Sequence, residues 1–118
     1  MYQNVADISV FGLEGDIGDL EGRQLIRRLA RLIRREWVKI VLDFERVEHI
    51  NYQVMATLVA FSQTMQLFQG QIKLANMTPY HRNILRVAGV DEFFESYESL
   101  AEAILSFEDG YCSSAGPC

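Results

Sequence analysis

The stretch VKIVLDFERVEHINYQVMATLVAFSQTMQLFQ, residues 38–69, decides the fold. Its first part packs Ile40, Val41, Leu42 and Phe44 close together, then adds Val47 and Ile50. A short apolar run rich in branched side chains predicts a strand buried on both faces, as parallel strands between helices are. Further along, Val54, Leu58, Phe61, Met65 and Phe68 recur at threes and fours, which predicts a helix with one apolar face. Asn51 stands between the two, where its side-chain oxygen can accept from the free N–H groups of the first helical turn. The carboxyl end of a parallel strand is where α/β proteins build sites, so residues 51–55 are the first place to look for one.

Working outward, Ile8–Phe11 predicts an earlier strand, and Gly12, Gly15 and Gly18 punctuate the segment after it. Asp19 is the expected N-cap of the next helix, with Glu21 favourable in its first turn. In that helix Ile26, Leu29, Ala30, Ile33 and Trp37 share a face that Leu25 and Leu32 widen. Arg23, Arg27, Arg28, Arg31, Arg34 and Arg35 occupy its other side. Downstream of the central stretch, Gln69-Gly70 predicts a C-terminal glycine stop for the helix, and QIKLANM predicts a strand with Ile72 and Leu74 on one face. Thr78-Pro79 has the residues of a helix start, Ile84, Leu85 and Ala88 point inward, and Gly89 closes the end through a left-handed residue. Phe93, Phe94 and Tyr97 form a short apolar strand or loop. Ser99 and Glu102 then have capping-box spacing ahead of a helix carrying Leu100, Ala103, Ile104 and Phe107. Strands alternating with helices predict one α/β domain, residues 1–108, with helices packed on a mostly parallel sheet of four to five strands. Residues 109–118 are expected to be a flexible tail.

The bulk properties exclude several functions. A chain of 118 residues suits a single domain with a real core, and a net charge of −5 argues against nucleic acid, whose phosphates need a basic footprint. No apolar run is long enough to cross a bilayer, and MYQNVADISV lacks the basic-then-apolar order of a secretory signal, so the expected compartment is the cytoplasm. Cys112 and Cys118 then read as free thiols. His49 and His81 have no Cys or His partner at ligand spacing, and no metal site or cofactor is expected. The Gly12/Gly15/Gly18 run lacks the Lys-Ser/Thr of a phosphate loop, and no activated nucleophile is visible, so the chain does not read as an enzyme.

Three strings carry a family resemblance. Val41-Leu42-Asp43-Phe44 with Val47 and Ile50, then Gly70-Gln71-Ile72-Lys73-Leu74-Ala75-Asn76, are followed by the ending Leu85-Arg86-Val87-Ala88-Gly89-Val90-Asp91-Glu92-Phe93-Phe94 and Tyr97-Glu98-Ser99-Leu100-Ala101-Glu102-Ala103. Over roughly residues 8 to 107 the chain resembles the STAS domain of bacterial anti-sigma factor antagonists. In those antagonists the loop before the second helix reads Asp-Ser-Ser/Thr-Gly-Leu, and the hydroxyl residue before the glycine is phosphorylated by a kinase that is itself the anti-sigma factor. The matching string here is Asn51-Tyr52-Gln53-Val54-Met55, which puts Gln53 at the acceptor position and Asn51 in place of the acid. Where the family often shows Gly-Glu-Leu/Ile-Asp, this chain has Gly15-Asp16-Ile17-Gly18, one acid fewer.

The resemblance implies a non-catalytic protein-binding domain whose partner surface comprises Asp16, Asn51, Tyr52, Gln53, Val54, Met55 and Leu58, with no phosphorylation at Gln53. Tyr52 and Met55, where exposed, form a small contact patch there, with packing as the alternative. The nearby hydroxyls of Tyr52, Thr57 and Ser62 read as packing or solvent contacts. The implied partner is an anti-sigma factor or serine kinase-like protein, or another signalling protein. Stand-alone STAS domains also accompany lipid-transport ATPases, so a transporter ATPase remains an alternative partner. A homodimer and a small-ligand or nucleotide sensor also stay open. The arginine side of the first helix contrasts with the acidic run Asp91, Glu92, Glu95, Glu98, Glu102, Glu108 and Asp109. It reads as a solvated face, or as a docking surface for an acidic partner, an anionic membrane or the acidic end of a second copy.

Overall fold

Strand β3, Lys39–Ile50, is the axis of the computed structural model, which describes residues 2–5, 7–35 and 39–107. Ile40, Val41, Leu42 and Phe44 are wholly buried, so both faces of this strand are covered, as its composition predicts. On one side it pairs in parallel with β2, Ile8–Ile17, and on the other with β4, Gln71–Ala75. β4 pairs in parallel with β5, Glu95–Tyr97, and β1, Tyr2–Val5, adds an antiparallel edge beside β2. The five strands lie in chain order, β1-β2-β3-β4-β5, which makes the sheet mostly parallel.

The pleat divides the core in two. Phe11, Ile40, Leu42, Phe44, Ile72 and Leu74 point to one face. There they meet α1 (Asp19–Arg34), α2 (Tyr52–Gln66) and α3 (Pro79–Val87). The alternate residues Ile8, Val10, Val41 and Ala75 point to the opposite face, where Ala103 of the short helix α4, Leu100–Leu105, closes over them.

Local sequence explains most boundaries. Thr78 caps α3 by accepting from the His81 N–H at 3.2 Å, with Pro79 in the first turn. Gly89 takes φ +72° after the helix, and the Val90 N–H donates back to the Leu85 carbonyl at 3.0 Å. Ser99 caps α4 by accepting from the Glu102 N–H at 3.1 Å.

Four expectations are corrected. The first strand does not stop at Phe11. It continues to Ile17 through register shifts between Gly12 and Glu14 and between Gly15 and Asp16, and Gly15 at φ +72° supplies the backbone that such a bulge needs. The N-cap of α1 is Gly18, not Asp19, because the Glu21 carboxylate reaches back to accept from the Gly18 N–H at 3.0 Å. After α2 the left-handed residue is Gln69, at φ +60°, while the Gly70 N–H donates to the Met65 carbonyl at 2.9 Å. Phe68 falls in this turn, past the end of the helix, and is exposed where the periodicity puts it inside. Trp37, Glu108, Asp109 and the tail with Cys112 and Cys118 lie outside the described residues.

Candidate functional site

The carboxyl ends of β2 and β3 lie side by side, with Asp16 opposite His49 and Ile17 opposite Ile50. Asn51 ties the loop that leaves them. Its N–H donates to the Ile17 carbonyl at 3.0 Å, and its side-chain oxygen accepts from the Gln53 N–H at 2.7 Å. Its own carbonyl receives the Val54 and Met55 N–H groups, which winds the first turn of α2 directly off the strand. This anchoring turns Tyr52 and Gln53 outward beside exposed Asp16. Tyr52 keeps 59% of its surface.

The same turn sends Val54, Met55 and Leu58 inward. Met55 and Leu58 are wholly buried and Val54 retains 6% of its surface. Met55 is therefore core, the packing alternative, and not part of an exposed patch with Tyr52. The reason is positional: α2 packs on α1, α3 and β4, so apolar residues on most of its circumference are covered. Of the seven residues expected at the partner surface, Asp16, Asn51, Tyr52 and Gln53 come together at the outside, and Val54, Met55 and Leu58 support them from beneath.

Nearby hydroxyls are engaged in the fold. Thr57 donates to the Gln53 carbonyl at 3.0 Å, one turn back along α2, and Ser62 is buried. Beside Gln53 the first turns of α1 and α2 leave a groove of about 370 Å³, with Ile26 and Val54 among its apolar lining and Asp19, Arg23, Arg27 and Gln53 among its polar lining. Gly22 permits this close approach, since a Cβ on it would stand 2.7 Å from the Val54 Cγ2.

Two further residues reach the site from α3, and sequence spacing does not mark them. Tyr80 meets the His49 Nδ1 at 2.6 Å, joining positions 31 residues apart. His81, next along, is buried against the Phe44 ring, and its Nδ1 accepts from the Thr78 N–H at 3.3 Å. The proton of the neutral ring therefore sits on Nε2, which is buried and has no hydrogen-bond partner among the described residues. Burial holds this histidine below its ordinary pKa of 6.5; the Val47 and Glu48 carbonyls act the other way, and neighbouring His49 adds a small push down. Among the described residues no group of His, Cys, Asp and Glu is arranged to hold a metal ion.

A mostly parallel sheet with α1, α2 and α3 on one face, α4 on the other, and an anchored, outward-facing loop after the central strand defines a small α/β domain of the STAS type. The STAS domain family model matches residues 1–103, and the chain belongs to that family. It is 22% identical over 96 residues to BtrV of Bordetella bronchiseptica, provisionally named an anti-sigma factor antagonist, a match covering 81% of this chain and 83% of BtrV. Among solved structures it is similar to the anti-sigma factor antagonist SpoIIAA in its unphosphorylated form, with a TM-score of 0.77 at 18% identity over 90% of this chain and 93% of that one. An anti-sigma factor antagonist from Mycobacterium paratuberculosis gives a TM-score of 0.77 at 19% identity, covering 90% of each chain. Family and relatives fit a regulatory role. No helix among the described residues is long and apolar enough to cross a membrane.

Proposed function

We propose that this chain is a non-catalytic regulatory binder of the anti-sigma factor antagonist type. It engages an anti-sigma factor or kinase-like partner in the cytosol through the loop formed by Asp16, Asn51, Tyr52 and Gln53, and phosphorylation at position 53 does not switch it. The observation that carries the reading is Gln53 itself, exposed in the first turn of α2, on a loop that Asn51 anchors to the end of β2. SpoIIAA is known in unphosphorylated and phosphorylated forms. A phosphoryl group adds about −1.5 to −2 charges and three strong acceptors, enough to reverse recognition at a contact surface. A glutamine amide has no hydroxyl to accept that group and carries no charge. Gln53 thus keeps the loop in the charge state of the unmodified form, and control of binding passes to partner abundance or to another surface.

Affinity capture from the cytosol and membranes of the native bacterium, with a Tyr52→Ala/Gln53→Ala variant alongside, tests the reading. A kinase-like protein recovered with the wild type and lost with the variant is the expected result. Recovery of the same proteins by both, or of a transporter ATPase in place of a signalling protein, overturns it.

A further inference from the structure

Six of the chain's eleven Lys and Arg residues fall between positions 23 and 35, in a protein of net charge −5. All six are exposed. Arg23 pairs with Asp19 at 3.1 Å one turn back, and both partners remain mostly in water, so the pair contributes little. Among the described residues, Arg27, Arg28, Arg31, Arg34 and Arg35 have no carboxylate within ion-pair distance. Nothing in the described fold neutralises this charge, and the mutual repulsion of cations a turn apart works against α1.

The surface under these arginines is not flat. The groove beside Gln53 ends at Arg27, a second hollow runs between Arg27, Arg28 and Arg31, and a third between Arg28, Arg31, Leu32 and Arg35 reaches the edge of the Phe11 ring. Each hollow shares an arginine with the next. They make one track along α1, about 24 Å for a helix of this length, starting at the candidate site. Ile26, Val54 and Leu32 provide apolar lining, and Arg28 stands 6.0 Å over the Phe11 ring, which holds one guanidinium in place. A smooth anionic surface would use the charge and leave the hollows empty. A protein segment with acidic side chains for the arginines and apolar ones for the hollows uses both.

We infer that the partner surface of this chain extends from the Gln53 loop along the arginine face of α1, and that the partner's contacting segment is acidic and amphipathic. The inference rests on the proposed function for its partner, and the arginines it adds lie on α1, outside the loop. Binding along this track raises the on-rate by steering and is lost with salt, whereas loop contacts fix which partner is held.

The probe is a labelled amphipathic peptide of about fourteen residues, two heptads of glutamates with leucines at the apolar positions, beside the same peptide with lysine for glutamate. Binding is read by anisotropy and by amide chemical shifts of the full chain. The acidic peptide is expected to move amides of Gly22 to Arg35 and to bind several-fold more weakly as NaCl rises from about 50 to about 300 mM. Arg27→Glu/Arg31→Glu is expected to weaken it at least tenfold and Arg27→Gln/Arg31→Gln less, both with thermal midpoints no lower than that of the wild type, since each relieves repulsion along α1. Arg82→Gln/Arg86→Gln, which removes two exposed arginines of α3 away from the track, should leave peptide binding within twofold. If the loop variant loses the captured partner while the arginine variants keep both partner and peptide, the inference fails and the functional reading stands. If the peptide behaves as expected and capture fails, the reverse holds. Equal binding of the lysine peptide, no saturation, or shifts mapping elsewhere overturn the inference. So does saturation of the same amides by phosphatidylglycerol vesicles but not by peptide, or their concentration dependence without peptide, which would make the face a lipid or self-association surface.

Discussion

His81 shows how one residue can set a condition on the whole fold. The folded chain holds its ring buried and neutral, with Nδ1 committed as an acceptor to the Thr78 N–H. The unfolded chain has no such constraint and takes up a proton near pH 6.5. Because the folded-state pKa is lowered, the unfolded state binds more protons in this range. His81 therefore favours folding fully above about pH 6.5, and stability falls as the pH drops below it, by at most about 1.4 kcal/mol per pH unit for this one group. Urea unfolding between pH 7.5 and 5 should show the fall, and His81→Gln, which keeps an acceptor at the same position without titrating, should flatten it whatever its effect on absolute stability. An unchanged slope in that variant would assign the pH dependence to other groups. Gln53 gives a second test at this scale, because folding and binding should respond in opposite directions. Gln53→Glu puts a negative charge beside the free N–H groups of α2, worth about 0.3–1 kcal/mol to the helix. The same charge imitates part of a phosphoryl group at the partner surface. A higher thermal midpoint with weaker partner binding is expected; unchanged binding would remove Gln53 from the contact, and tighter binding would show that a charge there does not act as a phosphoryl group does.

Among the elements, α1 and α2 are fitted to each other at Gly22. In an open helix, replacing this glycine with alanine gains about 1 kcal/mol of propensity. Here the new methyl would meet both Val54 methyls, at 2.7 and 2.9 Å, and a β-branched side chain has no free rotamer to swing into. Overpacking of this kind costs about 1–3 kcal/mol, so Gly22→Ala should destabilise in spite of its propensity. Adding Val54→Ala should recover part of the loss, and a double-mutant cycle in urea that came out strictly additive would show that the contact is not what limits the glycine. On the other face, α4 is latched to the sheet through Lys73. Its side chain is only 5% exposed, and the ammonium donates to the Ser106 carbonyl at 3.1 Å and the Ser106 hydroxyl at 2.7 Å, meets Glu95 at 3.3 Å, and lies 4.2 Å from the centre of the Phe107 ring. Lys73→Met keeps the apolar stem but leaves Ser106 without its donor, a loss of about 1–3 kcal/mol. Faster amide exchange confined to α4, ahead of any global change, is the expected signature.

For the molecule as a whole, the sequence is clearest where apolar spacing and caps agree, and weakest where pairing overrides local preference. β3, the Asn51 cap, the Thr78-Pro79 start and the Gly89 stop are all visible in the residues themselves. β1 is not, since Tyr2–Val5 has no apolar alternation and its pairing with β2 is what defines it as a strand. The second half of β2 reads as a glycine-rich break because its bulges are satisfied by β3, a partner more than twenty residues away. At the candidate site the loop and its cap were legible. The inward turn of Met55 was not, because periodicity gives a face and only packing shows how much of the helix is enclosed. The same division makes the α4 side of the sheet the thinner one. Three helices bury one face, whereas Ile8, Val10 and Val41 on the other depend on α4, a helix of 6 residues, with Ala103 wholly buried at the centre of the contact. Ala103→Asp would place a carboxylate in that contact, and undocking the helix is easier than burying the charge. Undocking returns those branched side chains to water at about 1.5–3 kcal/mol each, a sum comparable with the 5–15 kcal/mol that holds a typical domain together. The variant should therefore lose cooperative unfolding and bind a hydrophobic dye at neutral pH. A sharp two-state transition at a slightly lower midpoint would show instead that the α1–α3 face carries the fold alone.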